Sequence, residues 1–223
     1  MSEDDSISLA IGIPVIIVLL LANAIFVAAE FALVTVRRSR IDRLAAEGSR
    51  AAERVQSALG NLDYYIAAAQ LGITMASIAL GLFGEPVLAS IIEPPVETVV
   101  GAFAPAVAHT VAILAAFLLV TGLHIVIGEF IPKTIALEQN ERTALLIALP
   151  LSIFVRVFGP VIWALNTTAN GLLRMLGVDI RPLGEEPLTA EDLSFAFETS
   201  ASAGLISRRE LDLTRNLLRL SQT

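Results

Sequence analysis

Three apolar segments of membrane length constrain what this chain can fold into. They cover about residues 7–36, 62–83 and 110–137, and they hold few charged side chains. About 20 apolar residues in a helix are enough to cross the hydrocarbon core of a bilayer. Helices also satisfy their own backbone hydrogen bonds, which lipid cannot do for them. We therefore predict an all-α membrane protein with three transmembrane helices, in which residues 1–180 form the membrane domain.

The composition excludes several classes of function. Hydrophobic residues make up 55% of the chain, and the formal net charge of -7 argues against a nucleic-acid partner, which would need a basic face. Cysteine is absent, so no disulfide or thiolate metal site can form. The two histidines, His109 and His124, are too few for a multi-histidine transition-metal site. No Ser/His/Asp set is visible, so we do not expect an enzyme.

A basic block between the first two apolar segments predicts the orientation in the membrane. Residues 37–60 carry six of the chain's fifteen basic residues: Arg37, Arg38, Arg40, Arg43, Arg50 and Arg54. Cytoplasmic loops are rich in arginine and lysine, so we expect a multi-pass protein of the plasma or inner membrane with its N-terminus outside. We interpret the block as a surface helix along the headgroups, where it could also sense lipids. Residues 84–109 lack Lys and Arg and predict an outer loop, broken by Pro86, Pro94, Pro95 and Pro105.

The apolar stretch at residues 143–178 allows two interpretations. Pro150, Gly159 and Pro160 interrupt it, and we favour two broken helices at the cytoplasmic interface over a single crossing. A crossing would place the C-terminus outside. The interfacial arrangement instead keeps residues 181–223, which are charged and helical in pattern, as a cytoplasmic tail.

A short polar stretch within the third apolar segment carries the strongest functional signal. Residues 128–134 read Gly-Glu-Phe-Ile-Pro-Lys-Thr. Pro132 cannot donate a helical hydrogen bond to the carbonyl of Gly128, so we predict a helix break that frees this carbonyl beside the Glu129 carboxylate. An ionisable group at membrane depth is costly and therefore a functional candidate. Lys133 could neutralise a carboxylate when no cation is bound.

The other two segments supply further oxygen atoms. Asn23 and Glu30 share one face of the first segment, and polar residues recur at i, i+4 and i+7 in the second. Oxygen-only coordination suits Mg²⁺ or Ca²⁺, and Na⁺ is a further candidate. The candidate metal ligands are Asn23, Gln70, Thr74, Ser77, Gly128 and Glu129, whereas Glu30, Pro132 and Lys133 are candidates for structural or gating roles.

Structural interpretations of the same residues stay open. The neutral polar side chains could serve as hydrogen bonds between helices. For Glu30 we favour an ion pair with Lys133 or Arg37 over direct cation contact. For His124 we favour a packed, hydrogen-bonded histidine over a ligand.

These motifs resemble the transmembrane module of the CNNM/CorC magnesium transport proteins. The resemblance rests on residues 23–40, on Gln70-Leu-Gly-Ile-Thr74 and on the stretch at 128–134, and it covers about residues 7–180. It implies a homodimer of three-span protomers with juxtamembrane helices and a dehydrated Mg²⁺ ion near mid-membrane. It further implies Mg²⁺ export, with inward Na⁺ as a candidate coupling ion. Residues 181–223 resemble the start of the family's acidic helical linker, which we expect to be truncated ahead of the CBS modules, without regulation by ATP.

The first segment departs from the family pattern. Many members carry Ser-Gly-Ser before the glutamate, where this chain has Val27, Ala28 and Ala29. Backbone carbonyls around Ala28, or the side chain of Asn23, would have to replace those hydroxyls. Two hypotheses follow: a Mg²⁺ transporter, or a Mg²⁺-sensing membrane scaffold that regulates another transporter.

Overall fold

The computed structural model describes residues 3–100 and 105–177, together with residues 197, 198, 201 and 213. Within these residues the regular secondary structure is helical, which confirms the predicted all-α membrane class. The elements in chain order are α1 (Glu3–Thr35), α2 (Arg38–Ala46), α3 (Arg50–Leu59), α4 (Leu62–Val100), α5 (Pro105–Leu123), a π-helical segment (His124–Phe130), α6 (Ile131–Glu138) and α7 (Asn140–Met175). The chain divides into two units, Met1–Ile180 and Arg181–Thr223. The predicted helical tail lies almost wholly outside the described residues.

Three long helical segments form the bundle that carries the site. Helix α1 runs antiparallel to α4, as the order of their contacts shows: Glu30 meets Gln70, and farther along Gly12 meets Val87. The third segment, formed by α5, the π segment and α6, packs against both α1 and α4. These segments contain the three predicted spans.

Helix α4 is much longer than predicted. It was expected to end at residue 83, but it continues to Val100 with Pro86, Pro94 and Pro95 inside it. Helix α5 packs along α4. Prolines are tolerated in apolar helices when neighbouring helices and hydroxyl groups compensate for the lost hydrogen bonds. The predicted proline-broken loop over 84–109 is therefore wrong for residues 84–100, which are helical, and for 105–109, which begin α5.

The basic block forms two helices rather than one surface helix. Helix α2 is followed by Gly48, whose positive φ of 87° ends it, and Ser49 then caps α3 by accepting a hydrogen bond from the Ala52 amide. The apolar face of α3 is buried. It packs into a core with the end of α1 and the first half of α7 that includes Ala29, Ala32, Ile41, Ala52, Val55, Ala144 and Leu151. We call this region the arginine end of the bundle.

The predicted pair of broken helices at residues 143–178 is wrong, because α7 is a single helix of 36 residues that passes through Pro150 and Pro160. Among the described residues, four helical segments are thus long and apolar enough to cross a membrane. Two contacts locate the first part of α7. The Asn140 side chain donates to the Thr35 carbonyl at 3.3 Å, and the Tyr64 hydroxyl donates to the Gly159 carbonyl at 3.2 Å.

These two contacts lie at the same end of the bundle. Thr35 ends α1, and Tyr64 lies in the first turn of α4, which runs antiparallel to α1. Residues 140–159 cover about 28 Å at 1.5 Å per residue, yet both of their ends meet the arginine end. This part of α7 therefore runs across the bundle end, which favours the interfacial interpretation although the helix is unbroken.

Candidate cation site

Asn23 and Gly128 join the first and third helical segments. Asn23 is buried, with 1% of its surface exposed, and its side-chain nitrogen donates to the Gly128 carbonyl at 2.9 Å. Pro132, four residues after Gly128, has no N–H to fill the usual helical role. The Gly128 carbonyl is thus free, as predicted, to accept a hydrogen bond from another helix. The side-chain amide of Asn23 donates that bond.

Ser77 and His124 extend this contact to α4. The Ser77 hydroxyl lies 2.8 Å from the Ile73 carbonyl, 3.3 Å from Asn23 Oδ1 and 3.1 Å from His124 Nε2. We call Asn23, Ser77, His124 and Gly128 the polar cluster. It connects α1, α4 and the π segment at one level of the bundle.

Ser77 has more hydrogen-bond acceptors around it than protons to donate. A serine hydroxyl has one proton to donate, so Ser77 cannot donate to the Ile73 carbonyl and to Asn23 Oδ1 at the same time. The shorter distance, to Ile73, favours the bond within α4. Asn23 Oδ1 then faces the lone pairs of the serine oxygen, and a cation between the two oxygens would relieve this mismatch.

The third segment has a π-helical turn, which is wider than an α-helical turn, where a break in the helix was predicted. Instead of unwinding at Pro132, the chain forms a π-helical turn over His124–Phe130 and resumes as α6. Such turns are rare and occur frequently at functional sites. A Cβ atom on Gly128 would lie 3.0 Å from both Asn23 Nδ2 and His124 Cδ2. Glycine is therefore the residue that allows the close approach of α1.

Other predicted site residues lie closer to the arginine end. Gln70 Nε2 donates to Glu30 Oε1 at 3.4 Å, and the Thr74 hydroxyl donates to the Gln70 carbonyl within α4. The favoured ion pair of Glu30 with Lys133 or Arg37 is not among the ion pairs of the described residues. Lys133 Nζ instead lies 4.5 Å from the centroid of the Phe31 ring, a cation–π contact that holds α6 to α1.

The Glu129 side chain does not join the polar cluster. Gly128 is buried, whereas Glu129, its neighbour on the helix, is exposed on the protomer surface. Since His124 meets Ser77 on an antiparallel helix, Glu129 lies roughly 7 Å farther toward the arginine end. Thr74 and Gln70, both exposed, lie about 4 Å and 10 Å from Ser77 in the same direction. The carboxylate is thus at the depth of these two side chains.

The polar cluster contains one side chain of the first segment, that of Asn23. Val27 and Ala29, at positions where the resemblance expects hydroxyls, are buried with 3% and 0% exposure and bring no side-chain oxygen. Asn23 is the α1 side chain that reaches Gly128. His124 is hydrogen-bonded, as expected, but its contact with Ser77 was not foreseen. His124 precedes Gly128 by four residues, which places both on one helix face. This spacing was the feature of the sequence from which the contact could have been predicted.

Comparison with known proteins identifies relatives over most of the chain. A model of the Cyclin M transmembrane N-terminal domain matches residues 14–210. The UPF0053 protein YhdT of Bacillus subtilis is 40% identical over 193 residues, which are 86% of this chain and 41% of YhdT. Two others from the same organism, YhdP and YrkA, are 36% and 33% identical over 90% and 95% of this chain, and 45% and 48% of their own lengths. The chain therefore spans about half the length of the curated relatives it matches.

Proposed function

The chain belongs to the cyclin M family of membrane proteins, and we propose that it is the membrane module of a Mg²⁺ transporter. The observation that carries this proposal is the buried Gly128 carbonyl, held 2.9 Å from the Asn23 amide inside the polar cluster. A carbonyl, an amide oxygen and a hydroxyl are the oxygen ligands that hard cations prefer. No three Asp, Glu or His side chains converge among the residues described here, so neutral oxygens define this part of the site.

Cation binding exchanges one hydrogen bond for metal contacts. A cation that uses the Gly128 carbonyl displaces the Asn23 N–H from it. Asn23 Oδ1 and the Ser77 hydroxyl oxygen, which lie 3.3 Å apart, then face the same cation. These groups supply three oxygens. Mg²⁺ takes six and usually keeps several waters, so a partly hydrated ion fits this ligand set.

The exposed carboxylate of Glu129 supports a homodimer. A charged side chain facing lipid is strongly disfavoured, and Glu129 lies at the depth of the exposed Gln70 and Thr74 side chains. A second copy of the chain would cover this polar surface. Glu129 then provides negative charge close to the cation path, while Pro132 and Lys133 keep α6 in place beside it and Glu30 joins α1 to α4 through Gln70. We propose efflux from the cytoplasm, with Na⁺ as the coupling ion and the N-terminus outside.

The first test compares two asparagines that make the same kind of contact. Asn23 and Asn140 each donate a side-chain amide to a backbone carbonyl of another helix. In proteoliposomes with a Mg²⁺-sensitive dye inside, Asn23→Leu should reduce Mg²⁺ flux at least about tenfold, since it removes the ligand and leaves similar volume. Asn140→Leu should transport within about twofold of the unsubstituted protein. Equal flux in both variants contradicts the site.

The second test concerns the charge of Glu129. Glu129→Gln keeps the shape of the side chain and should lower Mg²⁺ flux strongly, whereas Glu138→Gln, at the exposed end of α6, should not. The same vesicles contain no partner protein. Mg²⁺ flux in them therefore argues for a transporter, and its absence together with retained Mg²⁺ binding argues for the sensing scaffold.

A further inference from the structure

A cleft at the arginine end has a composition that the cation site does not explain. It has a volume of about 590 Å³ and lies between α3, the first turn of α4 and the middle of α7. Arg54 and Arg156 line it from opposite helices, and Ser57, Tyr65 and Ser152 add hydroxyl groups. The cleft is separate from the polar cluster, because none of the cluster residues lines it.

The two arginines of the cleft carry positive charge that the described residues do not neutralise. Within the part of the chain that the structure describes, the ion pairs involve Arg40 with Glu141 and His109 with Glu93, not these two arginines. One guanidinium nitrogen of Arg54 contacts the Arg50 carbonyl at a long 3.5 Å, which leaves its other donors available. Two guanidinium groups facing one cleft form a site that prefers a phosphate group.

One wall of the cleft is apolar and faces outward. Leu149, Ile153 and Val157 follow one another at intervals of four residues along α7, and their exposed fractions are 50%, 55% and 65%. Residues at this spacing form a continuous ridge on a helix surface. The ridge leads away from the arginines along a helix that runs across the bundle end. A free phosphate ion gains nothing from such a ridge, whereas an acyl chain does.

We propose that this cleft binds the phosphate-bearing headgroup of an anionic phospholipid. Arg54 and Arg156 hold the phosphate, and the hydroxyl groups of Ser57 and Tyr65 donate to its oxygens or to the glycerol. One acyl chain lies along the ridge formed by Leu149, Ile153 and Val157. The lipid joins α3 to α7, so it fixes the position of α7 on the bundle.

The single tryptophan provides the measurement. Trp163 follows Arg156 by seven residues, on the same face of α7, and its exposed fraction is 66%. The full chain is reconstituted in phosphatidylcholine vesicles that contain either brominated phosphatidylglycerol or brominated phosphatidylcholine, and quenching of Trp163 fluorescence is compared. We expect brominated phosphatidylglycerol to be enriched up to about thirtyfold at Trp163, the size expected for two arginines near an anionic headgroup.

Matched variants separate this site from general charge attraction. Arg54→Gln/Arg156→Gln should abolish the preference for phosphatidylglycerol. Arg50→Gln/Arg174→Gln removes two charges from the same two helices at positions that do not line the cleft, and it should keep the preference. Arg54→Lys/Arg156→Lys should keep part of it, because the charge remains. Quenching by brominated phosphatidylcholine shows in each case that the variant is embedded.

Three results would overturn the proposal. The first is an unchanged preference in Arg54→Gln/Arg156→Gln. The second is an equal loss in Arg50→Gln/Arg174→Gln, which would mean that only the total charge matters. The third is loss of the preference when millimolar inorganic phosphate is added at constant ionic strength, because the cleft would then be a site for free phosphate.

Discussion

Helix α1 meets its neighbours in two different ways along its length. Around Asn23 the contact is polar, and three helical segments are joined by hydrogen bonds that involve Ser77, His124 and Gly128. Two turns farther on, the contact is apolar, and Ala29 and Ala32 are completely buried against α3, α6 and α7. Both regions bring helices close together, but only the first leaves donors and acceptors that can exchange partners.

The difference suggests a division of roles within the bundle. Close packing of alanines resists small displacements, because dense interiors transmit strain and have few voids. Hydrogen bonds between membrane helices are worth little on average, about 0.6 kcal/mol, so a cation can replace them. We therefore propose that the arginine end acts as the fixed part and that the polar cluster is the level at which ligand exchange and helix movement occur.

The largest expected effect comes from enlarging an alanine in the fixed part. Ala32→Leu adds three carbons where no surface is exposed, and overpacking of this kind typically destabilises by about 1–3 kcal/mol or more. Unfolding in detergent, followed by tryptophan fluorescence against denaturant concentration, measures it. Ala10→Leu, at an exposed position of the same helix, is the control and should unfold like the unsubstituted protein.

A smaller loss of about 1–2 kcal/mol is expected from Gly72→Ala. A Cβ atom there would lie 2.5 Å from the Phe26 ring, which also packs edge-on against Phe154 at 4.6 Å between ring centroids. Phe26→Leu should rescue part of the loss. A double-mutant cycle measures this coupling, and strictly additive effects would show that α1 and α4 do not depend on this contact.

Asn23→Leu should separate stability from transport. It leaves the Gly128 carbonyl without its interhelical donor, so the free energy of unfolding should fall by about 0.6–1.7 kcal/mol, the range for such bonds in membranes. Flux should fall far more. A stability loss as large as that of Ala32→Leu would place Asn23 in the fixed part and would contradict the comparison.

The smallest effect is expected for the ion pair between Arg40 and Glu141. Its atoms are 2.9 Å apart, but 46% and 35% of the two side chains are exposed, and such pairs contribute about 0–1 kcal/mol. Arg40→Gln should change the unfolding midpoint by little more than the experimental error. A large change would show that α2 and α7 depend on charge rather than on their apolar core.

The sequence predicted the spans well and two helix lengths poorly. Apolar runs placed α1 and the third segment, because few structures other than a helix satisfy the backbone in lipid. Proline was misleading in α4 and α7. Rules for isolated helices end them at Pro86 and Pro150, but in the folded chain α5 packs along α4 and the arginine end holds the first half of α7. The sequences of α4 and α7 do not by themselves show that packing against other helices will stabilise them.

Part of the site could also be predicted. Asn23, Ser77 and Gly128 were singled out, and they do meet. The contact of His124 with Ser77 was not foreseen, although its spacing from Gly128 indicated a shared face. The outward direction of Glu129 was missed because helical spacing was assumed to be regular. A π turn changes which residues share a face, and no residue type in His124–Phe130 announces it.

The π turn allows the third segment to stay in contact with α1 over its whole length. Val120 packs with Ile16 and Leu20 on one side of the polar cluster, and Ala136 belongs to the core at the arginine end. At 100° per residue in a regular helix, the sixteen residue steps from Val120 to Ala136 would leave their directions about 160° apart. One surplus residue in the π turn absorbs about 100° of this twist. The π turn thus restores the angular register of the segment, so that both Val120 and Ala136 face α1. Deleting one residue within the turn would rotate Ala136 away from α1.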